Sequence, residues 1–348
     1  MARPSGGIGN VTANTGLVEM AMGYSRSRVL CAAARLGIAD ALGDEVRSIN
    51  RLAETCQADT DALYRLLRVL SAIGVTEEVA PKQFRLTELG RPLRRDAPNS
   101  VWPAVVFWSD LLADSWSLLT DCVRTGKSSF EVRDPNIPSR WSQDPDASAI
   151  FRAVMGTAPA EDYAPIARAW DFSRAGVVAD LGGGGGSLIL AVLDINPHLR
   201  GMLVDLEPSI EAAKPRFAKE KDSSRCQLLV SDLMQSVPPG ADVYMLKHVL
   251  HGRRDADAIT ILKNCRAAIP DNGTLLIIEF ILPALVSQPD PHLEAHLMSD
   301  LNMLAVTGGR ERSEAEWQTL LKAAGFRMTG VFPVGSDVGI VEAKPAQL

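Results

Sequence analysis

Five consecutive glycines, Gly182 to Gly186, separate the apolar run Val177-Val-Ala-Asp-Leu from a helical pattern that opens at Ser187. A strand-to-helix turn stripped of every Cβ lets backbone amides close on a ligand where any side chain would collide. Two common nucleotide loops do not fit. Counted from Gly182, Gly183 or Gly184, the last position of GxGxxG falls on Ser187, Leu188 or Ile189, none of them glycine or alanine. The lysine-bearing GxxxxGK[ST] loop that cradles a triphosphate is also missing.

From Gly176 onward short apolar runs (VVADL, GMLVDL, QLLVSD, VYMLKHVL, TLLIIEFIL) alternate with helical patterns. Strands buried on both faces and separated by helices predict a doubly wound, parallel α/β sheet of Rossmann-like type. Asp205 closes GMLVD, where a carboxylate can accept from both ribose hydroxyls, with Leu206 next to it; capping the helix that begins near Pro208 is its plainer role. Asp232 is expected to close QLLVSD and meet an adenine amino group, with Leu233 beside the ring.

The first hundred residues read differently. Leu17 to Leu42 carries helical spacing and is expected to end at Gly43-Asp44. Two further helical patterns start at Ser48 and Asp59, and a β-wing is predicted at Val75 to Leu86, the outline of a winged helix. Leu63, Leu66, Leu67 and Leu70 form an apolar stripe, and charge over residues 1–100 is nearly balanced, which favours a scaffold or dimerisation role over DNA reading. Residues 101–170 are read as a helical linker and substrate-pocket region, rich in Trp102, Phe107, Trp108, Trp116, Trp141, Phe151 and Trp170. These aromatics either line a pocket or join the layers of a core. Residues 171–348 complete the division as the cofactor-binding catalytic domain.

A formal charge of −6 across 348 residues argues against a nucleic-acid partner. No stretch reaches the ~18 apolar residues of a membrane span, and no leader is expected. Cys31, Cys56, Cys122, Cys226 and Cys265 are scattered, which reads as reduced thiols and a cytoplasmic setting.

Lys247-His248-Val249-Leu250-His251 follows a fourth strand, with Glu279 at the end of TLLIIE and Glu311 in GGRERS. A histidine at the sheet edge can take a hydroxyl proton near neutral pH while carboxylates orient it. Asp180 with Gly182, Gly184 and Gly186 spells D-x-G-x-G-x-G, similar to the first motif of class I methyltransferases. With DLGGGGG, LKHVLHxxxD, ILKNCRAAIPDNGTLLIIE and DLNMLAVTGGRERSEAEW, residues 17 to 344 resemble the caffeate and hydroxyindole type of O-methyltransferase and its bacterial relatives.

The resemblance implies S-adenosylmethionine as donor, S-adenosylhomocysteine as product, a small aromatic or enolic acceptor, and a homodimer formed through the amino-terminal winged-helix domain, residues 1–100. It makes His251 the general base, Glu279 and Glu311 its flanking carboxylates, and Asp180, Gly182, Gly184, Asp205, Leu206, Asp232, Leu233 and Lys247 the cofactor-binding set. The family's usual Asp-Trp after this histidine is replaced by Gly252-Arg253, which puts the histidine's setting in question. Carbon methylation or another reaction on the same cofactor is the alternative, and a ligand-sensing winged-helix regulator is a third. No metal is expected, because His248 is read as alternating away from His251 along a strand or sitting a turn apart, with packing near the site open to it, and His198, His292 and His296 as structural or solvent-exposed.

Overall fold

The computed structural model describes residues 8–133, 144–156, 160–335 and 338–346. The chain forms two compact units, Met1–Asp114 and Ser115–Leu348.

In the first unit, helix α1 (Ile8–Arg35) stops short of the expected Leu42. Gly37 adopts φ 66°, a left-handed turn open to glycine, and a separate turn of helix, α2 (Ile38–Leu42), follows it and ends at Gly43. The serine and aspartate read as starts do cap helices: the Ser48 hydroxyl accepts from the Arg51 amide at 3.4 Å before α3 (Ile49–Cys56), and Asp59 from the Ala62 amide at 2.8 Å before α4 (Thr60–Ala72). The wing forms where predicted, as the antiparallel pair β2 (Thr76–Ala80) and β3 (Gln83–Leu86), with β1 (Arg47–Ser48) beside β3. Leu63, Leu67 and Leu70 are buried and Leu66 is half-buried, as their helical spacing requires. Leu17, Met20, Met22 and Tyr24 leave α1 with an exposed apolar face.

The second unit is built on a seven-stranded sheet of order β11-β12-β8-β7-β4-β5-β6. Its parallel strands are β4 (Val177–Leu181), β5 (Arg200–Asp205), β6 (Cys226–Val230), β7 (Val243–Lys247) and β8 (Thr274–Glu279). The antiparallel pair β11 (Phe326–Val334) and β12 (Val338–Pro345) closes one side, and a short β9 (Ile281–Leu282) pairs outside the main sheet with β10 (Arg312–Ser313). Alternation sorts the core. Val243 and Met245 face one layer with α5 (Ser187–Ile195) and α6 (Glu207–Phe217); Tyr244 and Leu246 face the other with α7 (Asp255–Ala268) and α9 (Glu314–Ala323). Helix α8 (Pro291–Thr307) follows β9.

The chain runs from β4 through β5 to β6 on one side, then crosses to β7 on the other. That reversal opens a crevice beyond the carboxyl ends of β4 and β7, the position where open α/β sheets hold their ligands. Among the described residues, no helix is long and apolar enough to cross a membrane.

Candidate active site

The glycine loop leaves β4 into the crevice. Gly182, Gly184 and Gly186 have φ of 67°, 56° and 76°, left-handed values that disfavour any side chain. A Cβ on Gly182 would lie 2.8 Å from Val249, one on Gly183 2.5 Å from the Asp180 carboxylate, and one on Gly186 2.5 Å from the Phe217 ring. Around Gly184 there is open space. The loop is therefore tight against the protein on one side and bare on the other.

Asp205 braces the loop: its Oδ2 accepts from the Gly184 amide at 2.8 Å and its Oδ1 from the Leu206 amide at 2.7 Å. An ionised carboxylate has about four acceptor sites, so two remain for hydroxyl donors. Leu206 is exposed beside it. Asp232 does not close its strand. β6 stops at Val230, and Asp232 sits in the following turn, its Oδ1 held by the Met234 amide at 2.9 Å. Leu233 turns inward and its side chain lies beside Gly182.

Asp180 is buried, and neither carboxylate oxygen has a hydrogen-bond partner among the described residues. Burial pushes its pKa up to about 7, with the nearby Lys247 charge partly opposing this. The Lys247 ammonium lies 5.0 Å from the centre of the Tyr163 ring, and burial lowers its pKa against the pull of Glu279 and Asp180. An orphaned buried acceptor beside a loop with no side chains fits a ligand that combines ammonium or amide donors with hydroxyls.

Glu279, the last residue of β8, is wholly buried. One of its oxygens accepts from the amides of Val249, Leu250 and His251 at 3.1, 3.1 and 3.3 Å, and the other faces His248 Nδ1 at 3.2 Å. His251 Nδ1 lies 3.6 Å from Glu279 but makes its short bond, 2.7 Å, to Glu311, which also accepts from the Ser299 hydroxyl on α8 at 2.8 Å. Burial alone would disfavour a charged His251 ring; the charges of Glu279 and Glu311 and the Glu311 bond outweigh it and raise the pKa above the usual 6.5. Burial dominates at His248 and lowers its pKa. Glu279 is held below the usual carboxylate range despite its burial, through the two histidines and the amides.

The predicted residues His251, Glu279 and Glu311 thus meet in one cluster. Of the placements read for His248, the structure shows packing near the site and not the face turned away from His251. Its backbone takes φ 51°, which swings the ring to within 5.0 Å of the His251 ring, centre to centre. His248, His251 and Glu279 place possible ligand atoms within 4.8 Å of one another. Each Nδ1 is nevertheless matched to a carboxylate, an arrangement that uses both nitrogens as donors.

Sequence reasoning gave no role to Arg312, a fully buried cation. Its guanidinium binds Asp255 at 2.7 Å and the carbonyls of Leu250 and Arg253 at 3.1 Å, so it grips the loop that carries His251. Gly309 completes the grip, because the Arg310 amide reaches the His251 carbonyl at 2.8 Å only where residue 309 has no side chain. The aromatics between 101 and 170 divide by role. The Trp102 indole donates to the Ala34 carbonyl at 2.9 Å, Trp170 to Glu342 at 2.6 Å and Trp116 to Asn302 on α8 at 3.1 Å. Phe107 is buried, whereas Trp108 and Phe151 are exposed. Trp141 lies outside the described residues.

Comparison with known proteins identifies the family. The model of the O-methyltransferase domain family matches residues 116–327, and that of the O-methyltransferase dimerisation domain matches residues 18–96. The chain is 36% identical to an O-methyltransferase of Streptomyces lavendulae, over 91% of this chain and 96% of the relative. It superposes on the mitomycin 7-O-methyltransferase structure with a TM-score of 0.87 at 33% identity, covering 98% of this chain and 100% of that one. It also resembles an O-methyltransferase from neocarzinostatin biosynthesis, solved with S-adenosylhomocysteine and 1,4-dihydroxy-2-naphthoic acid (TM-score 0.78, 32% identity, 92% and 96% coverage).

Two predictions follow from the packing around the site. Asp180 carries a folded pKa near 7 against an ordinary 3.8, so its stabilising contribution is full below about 3.8 and is lost as pH rises through about 7. Ligand-free protein should lose melting temperature over that interval, and Asp180→Asn should flatten the loss; parallel melting profiles would count against a buried, unpaired carboxyl. In urea, Gly309→Ala should cost about 1–3 kcal/mol, because the new methyl meets the His251 carbonyl oxygen at 2.1 Å. Gly252→Ala, whose nearest neighbour is 3.7 Å away, should stay within about 0.5 kcal/mol of the parent.

Proposed function

Because the chain belongs to the family of S-adenosylmethionine-dependent O-methyltransferases, we propose that it methylates a hydroxyl of a small aromatic acceptor of the secondary-metabolite kind, with His251 as general base. The 2.7 Å contact between His251 Nδ1 and Glu311 carries this reading. With Nδ1–H given to a carboxylate, Nε2 is left as the proton acceptor.

When bound, S-adenosylmethionine supplies a methyl group already activated on a sulfonium and leaves as S-adenosylhomocysteine. Asp180, Gly182, Gly184, Asp205, Leu206, Asp232, Leu233 and Lys247 are the residues assigned to hold it: the loop by admitting close approach, Asp205 by its spare acceptor sites, Asp180 by its unpaired oxygens. The acceptor hydroxyl gives its proton to His251 Nε2 as its oxygen gains the methyl carbon. Glu311 and Glu279 then stabilise the imidazolium, and Glu279 keeps the 249–251 backbone in place through its three amide bonds.

The carbon-transfer alternative gains nothing from these relatives, each named for transfer to oxygen. A homodimer through the amino-terminal domain belongs to the same proposal, supported by the dimerisation-domain match and the exposed apolar face of α1. Five free cysteines support a reducing, cytoplasmic setting.

His251→Gln should retain S-adenosylhomocysteine affinity in calorimetry while turnover falls by roughly 10²–10⁴-fold; wild-type turnover by this variant would remove the base assignment. Methyl-labelled donor should leave its label on acceptor oxygen. Neutral His251 is the active form, so kcat/KM should fall on the acid side around a midpoint above 6.5. Glu311→Gln removes a charge that raises this pKa, so the acid limb should move to lower pH while the plateau drops. An unmoved limb would show that Glu311 does not tune His251.

A further inference from the structure

His248 is not used by the mechanism above, yet four observations set it apart. Its backbone is left-handed at φ 51°, an uncommon conformation for a residue other than glycine. Its Nδ1 is 3.2 Å from the Glu279 carboxylate, which fixes the proton there and leaves Nε2 on the far side of the ring. Its side chain keeps 24% of its surface open, more than the 15% of His251. Finally, it stands in a ladder of rings: His251 to His248 at 5.0 Å, His248 to Phe280 at 5.0 Å, and Phe280 stacked on His296 of α8 at 4.3 Å.

Both histidines turn Nδ1 towards Glu279, with ring planes only 33° apart. Each Nε2 is therefore on the side of its ring turned from that carboxylate. We infer that His248 is a specificity-determining residue whose Nε2 accepts from a second hydroxyl, or an amino group, on the ring carbon adjacent to the methylated hydroxyl. The inference rests on the O-methyl reading given above and deepens it. Two substituents on neighbouring ring carbons diverge, and each needs about 2.8 Å to reach its own nitrogen, which suits imidazoles with centres 5.0 Å apart. Burial keeps His248 neutral at neutral pH, so its Nε2 holds a lone pair for a donor. The Phe280 ring, tilted 52° from the His248 plane and stacked on His296, adds aromatic surface beside His248 for such an arene.

A site with an acceptor built to receive one more donor discriminates against the analogue that lacks it. The test compares 2,3-dihydroxynaphthalene with 2-naphthol, both as acceptors for labelled methyl donor and as ligands of the S-adenosylhomocysteine complex in calorimetry. The wild-type protein should favour the diol by about tenfold or more per hydroxyl in kcat/KM and in affinity. His248→Phe keeps a ring against Phe280, and His248→Asn suits the left-handed backbone; each should bring both diol-to-naphthol ratios to within about twofold, the ratio being taken within each variant so that any loss common to both acceptors through the Glu279 bond cancels. Equal wild-type use of the two acceptors, or a preference that survives in both variants, overturns the role of His248 and leaves the O-methyl reading standing. Label found on carbon, or no label transferred to either acceptor, overturns the O-methyl reading and this inference with it.

Discussion

The sheet edge that carries His251 is organised by one buried carboxylate. Glu279 ends a strand whose residues are all buried, so the backbone fixes its position before any side chain contributes. Three successive amides from Val249 to His251 and the His248 ring converge on it. Hydrogen bonds to a charged group contribute roughly 1.5–3 kcal/mol each, and an ionised carboxylate left without them in such a place is strongly destabilising. Held this way, the segment after β7 can turn back over the sheet edge instead of continuing as strand, and the turn carries His251 to Glu311.

Division of labour between the two glutamates follows. Glu279 spends its hydrogen-bonding capacity mainly on the backbone and on His248, and its distance to His251 Nδ1, 3.6 Å, is too long for a hydrogen bond. It acts on His251 chiefly as a charge. Glu311 makes the short bond and is itself set by the Ser299 hydroxyl, while its amide is received by Asp300, both on α8. The same helix carries His296 and Asn302, so one element supports both the Glu311–His251 pair and the aromatic rings beside it.

Much of this could be read in the sequence because it rests on local rules. Apolar strands alternating with helices, the helix starts at Ser48 and Asp59, the glycine spacing and the aspartate after GMLV are set by nearest neighbours, and each has the position they imply. What escaped depends on long-range geometry. Gly37 breaks a helix whose apolar spacing continues through it, since spacing records the buried face and not the φ of one residue. The end of β6 before Asp232 is set by a turn. His248 looked like the alternate face of a strand; only Glu279, thirty-one positions away, draws its ring back. Arg312 gave no sign of burial in a polar stretch because its partners are the distant Asp255 carboxylate and backbone carbonyls, which sequence does not display.

Those carbonyls also account for Gly252-Arg253, the departure from the family's Asp-Trp. The loop from Leu250 to Arg253 is held by its main chain: Leu250 and Arg253 carbonyls by the Arg312 guanidinium, the His251 carbonyl by the Arg310 amide, and the amides up to His251 by Glu279. None of these bonds passes through the side chain of residue 252 or 253. Gly252 has room around it, and Arg253 is exposed. The seat of His251 is therefore insulated from the substitution, and any consequence of losing the acid and the aromatic ring falls on whatever lies outside that loop. A histidine mounted on backbone hydrogen bonds can keep its geometry while neighbouring side chains change, and the proposed proton transfer needs the placement of Nε2 more than the motif around it.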